Sequence, residues 1–201
     1  MTTHSTIIAA ALSCTLLTAG TLSAQDTGAA KASASSSWEF LVHSGTLVPT
    51  GVQRDAIKRG NLTAAQLSYV VRPELAITST VGWARSRDAV IAGNPKLDVF
   101  TYDVGAEVRA PNWINGGAVS FTPFTGAGAG GRSYNYRKLD VDATHDLAAY
   151  GSIGGELGVR RVRVRIEARD YVAGFKPLNG IGSARTGNDV VVMAGLRIVS
   201  R

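Results

Sequence analysis

The chain has 201 residues, 45% of them hydrophobic and 18% charged, with a formal net charge of +6. That length accommodates one domain and a leader, and a single cysteine, Cys14, excludes a disulfide framework. No segment after the leader approaches the roughly 20 apolar residues of a membrane helix, which excludes a helical membrane protein.

Residues 1–24 contain no Lys, Arg, Asp or Glu. The apolar run Ile7–Leu12, continued by Leu16, Leu17 and Leu22, ends in the small pair Ser23-Ala24 before Gln25. That is the pattern of a cleaved secretory signal peptide. Cleavage after Ala24 removes Cys14, which also lacks the upstream Leu of a lipoprotein cysteine, and leaves no thiol chemistry. Residues 25–37 are rich in Ala, Ser, Gly and Lys without an apolar period, and read as a flexible leader.

From Trp38 onward the hydrophobic pattern alternates with period two, and no helical period appears. Eight strands are predicted: Trp38–Ser44, Leu62–Val71, Leu75–Arg85, Leu97–Arg109, Ala118–Gly128, Leu147–Val159, Arg161–Val172 and Asp189–Val199. Connections after even strands are short: Arg72–Glu74, Ala110–Gly117 and little more than Arg160. Those after odd strands are long: Thr46–Asn61, Ser86–Lys96, Ala129–Asp146 and Ala173–Asn188. An up-and-down barrel with both termini on one side of a membrane requires this alternation of turns and loops.

Side-chain polarity follows the same period. Arg161, Arg163, Arg165, Glu167 and Arg169 share one face of the seventh strand, with Val162, Val164, Ile166 and Ala168 on the other. In the fourth, Phe100, Tyr102, Val104, Ala106 and Val108 oppose Thr101, Asp103, Gly105 and Glu107. In the first, Trp38, Phe40 and Val42 oppose Glu39 and His43. Period two alone leaves open which face points inward. Aromatic residues near strand ends favour charges inward, as two interfacial girdles. Trp38, Tyr69, Trp113 and Phe121 form one, and Trp83, Phe100, Tyr102, Tyr134, Tyr136, Tyr150, Tyr171 and Phe175 the other. Strands of about 10 residues also span a bilayer at the usual tilt. The expected fold is all-β, an eight-stranded antiparallel up-and-down transmembrane β-barrel over residues 38–201.

Gly45-Thr46-Leu47-Val48-Pro49-Thr50-Gly51 follows the predicted first strand, and Pro123-Phe124-Thr125-Gly126-Ala127-Gly128-Ala129-Gly130-Gly131 runs through the fifth and past its end. Gly154-Gly155-Glu156-Leu157-Gly158-Val159 and Glu167-Ala168-Arg169-Asp170-Tyr171-Val172 come later. With these motifs in this order, the chain resembles the small outer-membrane β-barrel family related to the transmembrane domain of OmpA and to OmpX. Members commonly close on an aromatic residue read by the assembly machinery. Here Leu196 and Ile198 keep the alternation, and Val199-Ser200-Arg201 follows.

The charged inner face is the candidate site. Glu39, Asp103, Glu107 and Glu156 are expected to meet Arg163, Arg165 and Arg197 in a lumen too narrow for a wide channel. Buried charges require partners, so a salt-bridged plug is expected rather than a gated ion path. Gly126–Gly131 matches G-x-G-x-x-G, but without the strand–turn–helix context that phosphate binding needs. Arg160-Arg161-Val162-Arg163-Val164-Arg165 looks like a nucleic-acid patch, yet its valines place it on a strand and export removes it from nucleic acid. His43 and Ser44 are consecutive on a strand and point apart. His145 falls in a predicted loop beside Asp142 and Asp146, with no evident serine, and a metal site from these residues and Asp140 is weaker than the reading as solvated acids. The sequon Asn61-Leu62-Thr63 carries no weight in a bacterial chain.

No catalytic residue, cofactor or metal is assigned. The expected role is a non-enzymatic, monomeric envelope barrel in the bacterial outer membrane, with porin-like architecture and a plugged lumen. Its expected partners are outer-membrane lipid, lipopolysaccharide and the barrel-assembly machinery, and not nucleic acid. Arg54, Lys58, Arg59, Arg87, Lys96, Arg132, Arg137 and Lys138 are expected in or beside the outer loops, where they contact lipopolysaccharide phosphates. The alternatives are a lipid-modifying outer-membrane enzyme, which needs a Ser/His/acid cluster on the outer rim, and a soluble lipocalin-like barrel, which needs an apolar cavity.

Overall fold

The computed structural model describes residues 37–111, 113–116, 119–137, 139–159, 162–175 and 185–198. The expected signal peptide, the leader up to residue 36, Lys138, Arg160 and Arg161 lie outside the described residues.

Eight long strands form the molecule: β1 (Ser37–Thr50), β2 (Gly60–Arg72), β3 (Leu75–Arg87), β4 (Lys96–Arg109), β5 (Val119–Tyr136), β6 (Thr144–Val159), β7 (Val162–Phe175) and β8 (Arg185–Ile198). A two-residue strand, Ile114–Asn115, pairs with the start of β5. Every long strand is antiparallel to its neighbours in sequence. The β1–β8 pairing, from Val42 opposite Leu196 to Thr50 opposite Asn188, closes the sheet into a barrel. Closure satisfies the backbone of every strand and leaves no edge. The turn end of the barrel carries the start of β1 and the connection Pro73-Glu74. The loop end carries the connections after β1, β3 and β5.

Two strands run six or more residues past their predicted ends. β1 reaches Thr50 rather than Ser44, so Gly45–Thr50 is strand rather than loop, and β5 reaches Tyr136 rather than Gly128. The extensions carry Gly, Thr, Asn and Arg, which dilute the apolar signal. Their hydrogen-bonded register nevertheless continues, with Ala129–Tyr136 pairing against Leu97–Val104 on one side and Tyr134 reaching Thr144 on the other. Consequently His145, expected in a loop, lies in β6 opposite Ser133. Gly126–Gly131 is continuous strand in β5, where an added Cβ on Gly128 would stand 2.6 Å from a Tyr150 ring carbon. The glycine makes room for a tyrosine inside a narrow barrel.

Alternation sorts the side chains into two populations. Along β3, Ala76, Thr78, Thr80, Ala84 and Ser86 are buried in the lumen while Leu75, Ile77, Val81 and Arg85 are exposed. The outer wall is apolar on β1, β4, β6, β7 and β8, where Trp38, Phe40, Val104, Ile153, Ile166 and Leu196 are 56–68% exposed. An uncovered apolar belt of that extent is incompatible with water. With charge on the inside, it is the surface of a transmembrane barrel.

The aromatic girdles need correction. Trp38 and Tyr69 pack at the turn end, with centroids 4.9 Å apart, and Trp83 stacks on Phe100 at 6.3 Å toward the loop end. Tyr134, Tyr136, Tyr150 and Tyr171, however, are buried in the lumen. They share the inward parity of Arg132, Ser152 and Arg169, so nearness to a strand end was not enough to place them on the wall.

Candidate functional site

The lumen has two storeys. Toward the turn end, five carboxylates (Glu39, Asp103, Glu107, Glu156, Glu167) meet five guanidiniums (Arg109, Arg163, Arg165, Arg169, Arg197) in one connected network. Arg165 is its centre. It reaches from β7 across the lumen to Glu107 on β4, donates to Glu156 on β6 at 3.1 Å, and holds Glu167 at 2.8 and 3.0 Å. Its guanidinium also lies 3.5 Å from the centre of the Phe124 ring, a stacking that a planar arginine allows and a lysine does not.

Arg197 joins Glu39 to Glu156, and Arg109 donates to Glu107 at 2.6 Å and to Glu39 at 2.9 Å. Arg169 donates to Gln66 at 2.7 Å, Thr80 at 3.1 Å and Asp103 at 3.2 Å, as well as to Glu167. Tyr171 donates to the other Asp103 oxygen at 2.8 Å. Small residues stand beside the long ones: Gly195 opposite Arg165, Gly154 opposite Glu167, Gly126 opposite Glu107. Each side chain therefore has room to extend over its neighbour toward the barrel axis.

Of the seven residues singled out by sequence, Glu39, Glu107, Glu156, Arg165 and Arg197 converge here. Asp103 meets Arg169 rather than Arg163, Arg165 or Arg197, because it sits at the level of Thr80 and Gly130, nearer the middle of the barrel. Arg163 approaches Glu156 only at 3.7 Å and stays one-third exposed at the turn-end mouth. Arg109, Glu167 and Arg169 belong to the network but were not singled out. The period had already marked Glu167 and Arg169 as inward, and Arg109 continues the inward parity of Asp103 and Glu107.

The upper storey, toward the loop end, is mostly apolar and aromatic. Leu47, Leu62, Ala84, Leu97, Val99, Tyr134, Tyr136 and Tyr150 pack together with Ile57 from the first loop. One ion pair, Arg132–Asp189, is buried among them. Arg132, expected beside an outer loop in contact with lipopolysaccharide, is thus a lumen residue: the longer β5 carries it inward. A short 3-10 turn, Gly51–Asp55, drops Gln53 into the mouth, where its amide faces Asp189 at 3.1 Å and Tyr134 at 3.1 Å. Tyr136 donates to Asp88 at 2.7 Å, and Asp88 also accepts from the Val90 and Ile91 amides at 2.7 and 2.9 Å. A lumen filled by charged, aromatic and aliphatic side chains differs from the hollow apolar interior of a lipocalin-like binder.

The histidines and the serine beside one of them take no hydrogen-bonded part in this network. His43 is buried in the lumen beside Gly195, and neither ring nitrogen has a hydrogen-bond partner among the described residues. Ser133 and His145 stand directly opposite each other across β5 and β6. This pairing was hidden from sequence because both had been placed in a loop. No hydrogen bond joins them among the described residues, and no group of three or more His, Cys, Asp or Glu converges there. Asp146 alternates to the other face, and its carboxylate approaches Gly174.

No protein-family model and no curated protein sequence matches the chain. Among solved structures it is similar to Neisserial surface protein A, with 12% identity, coverage of 82% of this chain and 98% of that one, and a TM-score of 0.60. The attachment invasion locus protein Ail of Yersinia pestis matches at 10% identity over 80% and 96% of the two chains, TM-score 0.44. The outer membrane enzyme PagL matches at 12% identity over 82% and 100%, TM-score 0.39. The first similarity, with the closed eight-stranded register and the apolar wall, gives this chain the fold of the small outer-membrane β-barrels.

Proposed function

We propose that this chain is a non-enzymatic envelope barrel of the bacterial outer membrane, its lumen closed by a charge network rather than open as a pore. The carrying observation is the balance of the lower storey, five carboxylates against five guanidiniums bridging β1, β4, β6, β7 and β8. A conducting path leaves its charges to water and mobile ions; here they are spent on one another, and Arg165 and Glu167 are essentially inaccessible. Desolvated ions persist only when paired, and each of these ten groups has at least one partner of opposite charge. The apolar upper storey and the Gln53 turn add a second layer above. Planar-bilayer recording tests the reading: the wild-type protein conducts little, and large, steady channels overturn it.

A second reading, a lipid-modifying enzyme, is favoured by the Ser133/His145 pair. It lies beside a cleft lined by Tyr102, Gly130, Gly131, Leu147, Ala149 and Val172. Its test is fatty-acid release from phospholipid or lipid A vesicles by the folded protein; release that is abolished in His145→Ala replaces the first reading with this one.

A further inference from the structure

On the outer wall near the loop end, the strands carry a group of cations that the lumen network does not use. Trp83, Arg85 and Arg87 are successive outward positions of β3, and the register sets them opposite Phe100, Asp98 and Lys96 of β4. Arg59 and Lys58 come from the segment entering β2, and Arg137 from the end of β5. Together Lys58, Arg59, Arg85, Arg87, Lys96 and Arg137 line a cleft of about 330 Å³ with Ser86 and a single acid, Asp98. Asp98 is bound by Arg137 through two bonds of 2.6 Å. Among the described residues the other five cations have no carboxylate within ion-pair distance, in contrast to the lumen, where every arginine has one.

Position narrows the ligand. The cleft lies immediately above an aromatic step: Trp83 stacks on Phe100, the Arg85 guanidinium sits 4.0 Å from the Trp83 ring centre, and that of Arg137 lies at 5.9 Å. Below this step the wall continues as Val81, Tyr102 and Val104, all exposed. Tryptophan and tyrosine mark the level where hydrocarbon gives way to headgroups. A molecule that fills the cleft with anionic groups and covers the wall beneath with acyl chains satisfies both surfaces. A soluble polyanion satisfies only the upper one.

We infer that this cleft binds the phosphates of an acylated, phosphorylated sugar headgroup in the outer leaflet, a lipid A-type glycolipid. The inference rests on the membrane reading of the wall and adds a specific site to it. Arg85, Arg87 and Lys96 would grip phosphate oxygens as charge-assisted donors. Asp98 holds Arg137 in place beside them and lowers the net charge of the cleft.

Full-length protein in phosphatidylcholine nanodiscs doped with diphosphoryl lipid A is the test, with retained lipid counted by native mass spectrometry. Each surface cation contributes roughly fivefold in affinity for anionic lipid. The triple variant R85Q/R87Q/K96Q should therefore retain lipid A on the order of a hundredfold more weakly, and the single variant R87Q about fivefold more weakly. R72Q, exposed at the opposite, turn end of the barrel, should match wild type. Enzymatically dephosphorylated lipid A should be held no better by wild type than by the triple variant. Equal retention of diphosphoryl lipid A by wild type and both cleft variants overturns the inference. Equal retention of the phosphorylated and dephosphorylated lipids by wild type overturns it too. Displacement by inorganic pyrophosphate or a sulfated oligosaccharide at concentrations comparable to the lipid would reassign the cleft to a soluble polyanion. Low conductance of the same preparation separates the cleft from the barrel: if lipid retention fails while conductance stays low, only the cleft assignment falls.

Discussion

In the lower half of the lumen, five guanidiniums and five carboxylates lean on one another across the barrel axis; in the upper half, one ion pair, Arg132–Asp189, is embedded among tyrosines and leucines. Both halves exclude solvent, but they do so under different rules. A charge network is directional, and removing one member exposes its partners to an environment that cannot solvate them. An aromatic and aliphatic layer is held by shape and area, and tolerates exchange at constant volume. The same strands supply most of both storeys, with Gln53 and Ile57 of the first loop added to the upper one, so the difference lies chiefly in side chains. The lower storey fixes the arrangement of the strands, while the upper one seals it.

The sharpest way to break the comparison is Arg165→Met. It leaves Glu107, Glu156 and Glu167 without their shared cation, and losing one partner of a buried ion network costs about 3–5 kcal/mol. Urea titration of the protein folded in liposomes should show the midpoint fall accordingly. An unchanged midpoint would mean water reaches the lower storey. One residue away, Val164 is on the outer face. Val164→Arg should cost about 2–4 kcal/mol, as for a cation placed against hydrocarbon near the bilayer midplane. If it is neutral in the same titration, the wall does not contact lipid.

The upper storey should answer more quietly. Tyr136→Phe removes the 2.7 Å bond to Asp88 but leaves that carboxylate its two backbone donors. A loss of about 1 kcal/mol is expected, and a loss as large as that of Arg165→Met would erase the distinction between the storeys. The smallest effect belongs to Leu62→Met, which conserves volume in the apolar layer and should cost less than about 1.5 kcal/mol. Retained heat-modifiability on a denaturing gel, with a near wild-type midpoint, is the expected result.

Much of this was legible in the chain. Strict alternation in residues 161–169 assigned Arg165 and Glu167 to one face and Val164 and Ile166 to the other; the period-two runs supplied the number of strands, and the alternation of short and long connections their up-and-down order. Period two carries parity but not height. It therefore could not rank Arg169 above Arg163 as the partner of Asp103, nor tell a lumen tyrosine such as Tyr150 from a girdle one. The ends of β1 and β5 were missed for a related reason. Beyond the hydrocarbon band the outward residues no longer need to be apolar, so the signal that defines a membrane strand fades before the hydrogen bonds do. Arg132 went astray there, and so did the juxtaposition of Ser133 with His145.

The β1–β8 seam has a consequence for how the molecule comes together. The other seven interfaces between long strands join neighbours in the chain, whereas Thr50 meets the Asn188 carbonyl across 138 residues. Hairpins close small loops and can zip in order; the seam must bring distant segments into register, and the entropy of closing that loop falls on a single step. Until that step is complete, β1 and β8 are bare edges, each able to template the wrong partner. Assembly therefore has one vulnerable moment, the last. Rejoining β1 to β8 through a short linker and opening the chain between β3 and β4 would relocate that moment to a different pair of strands while leaving the finished barrel the same.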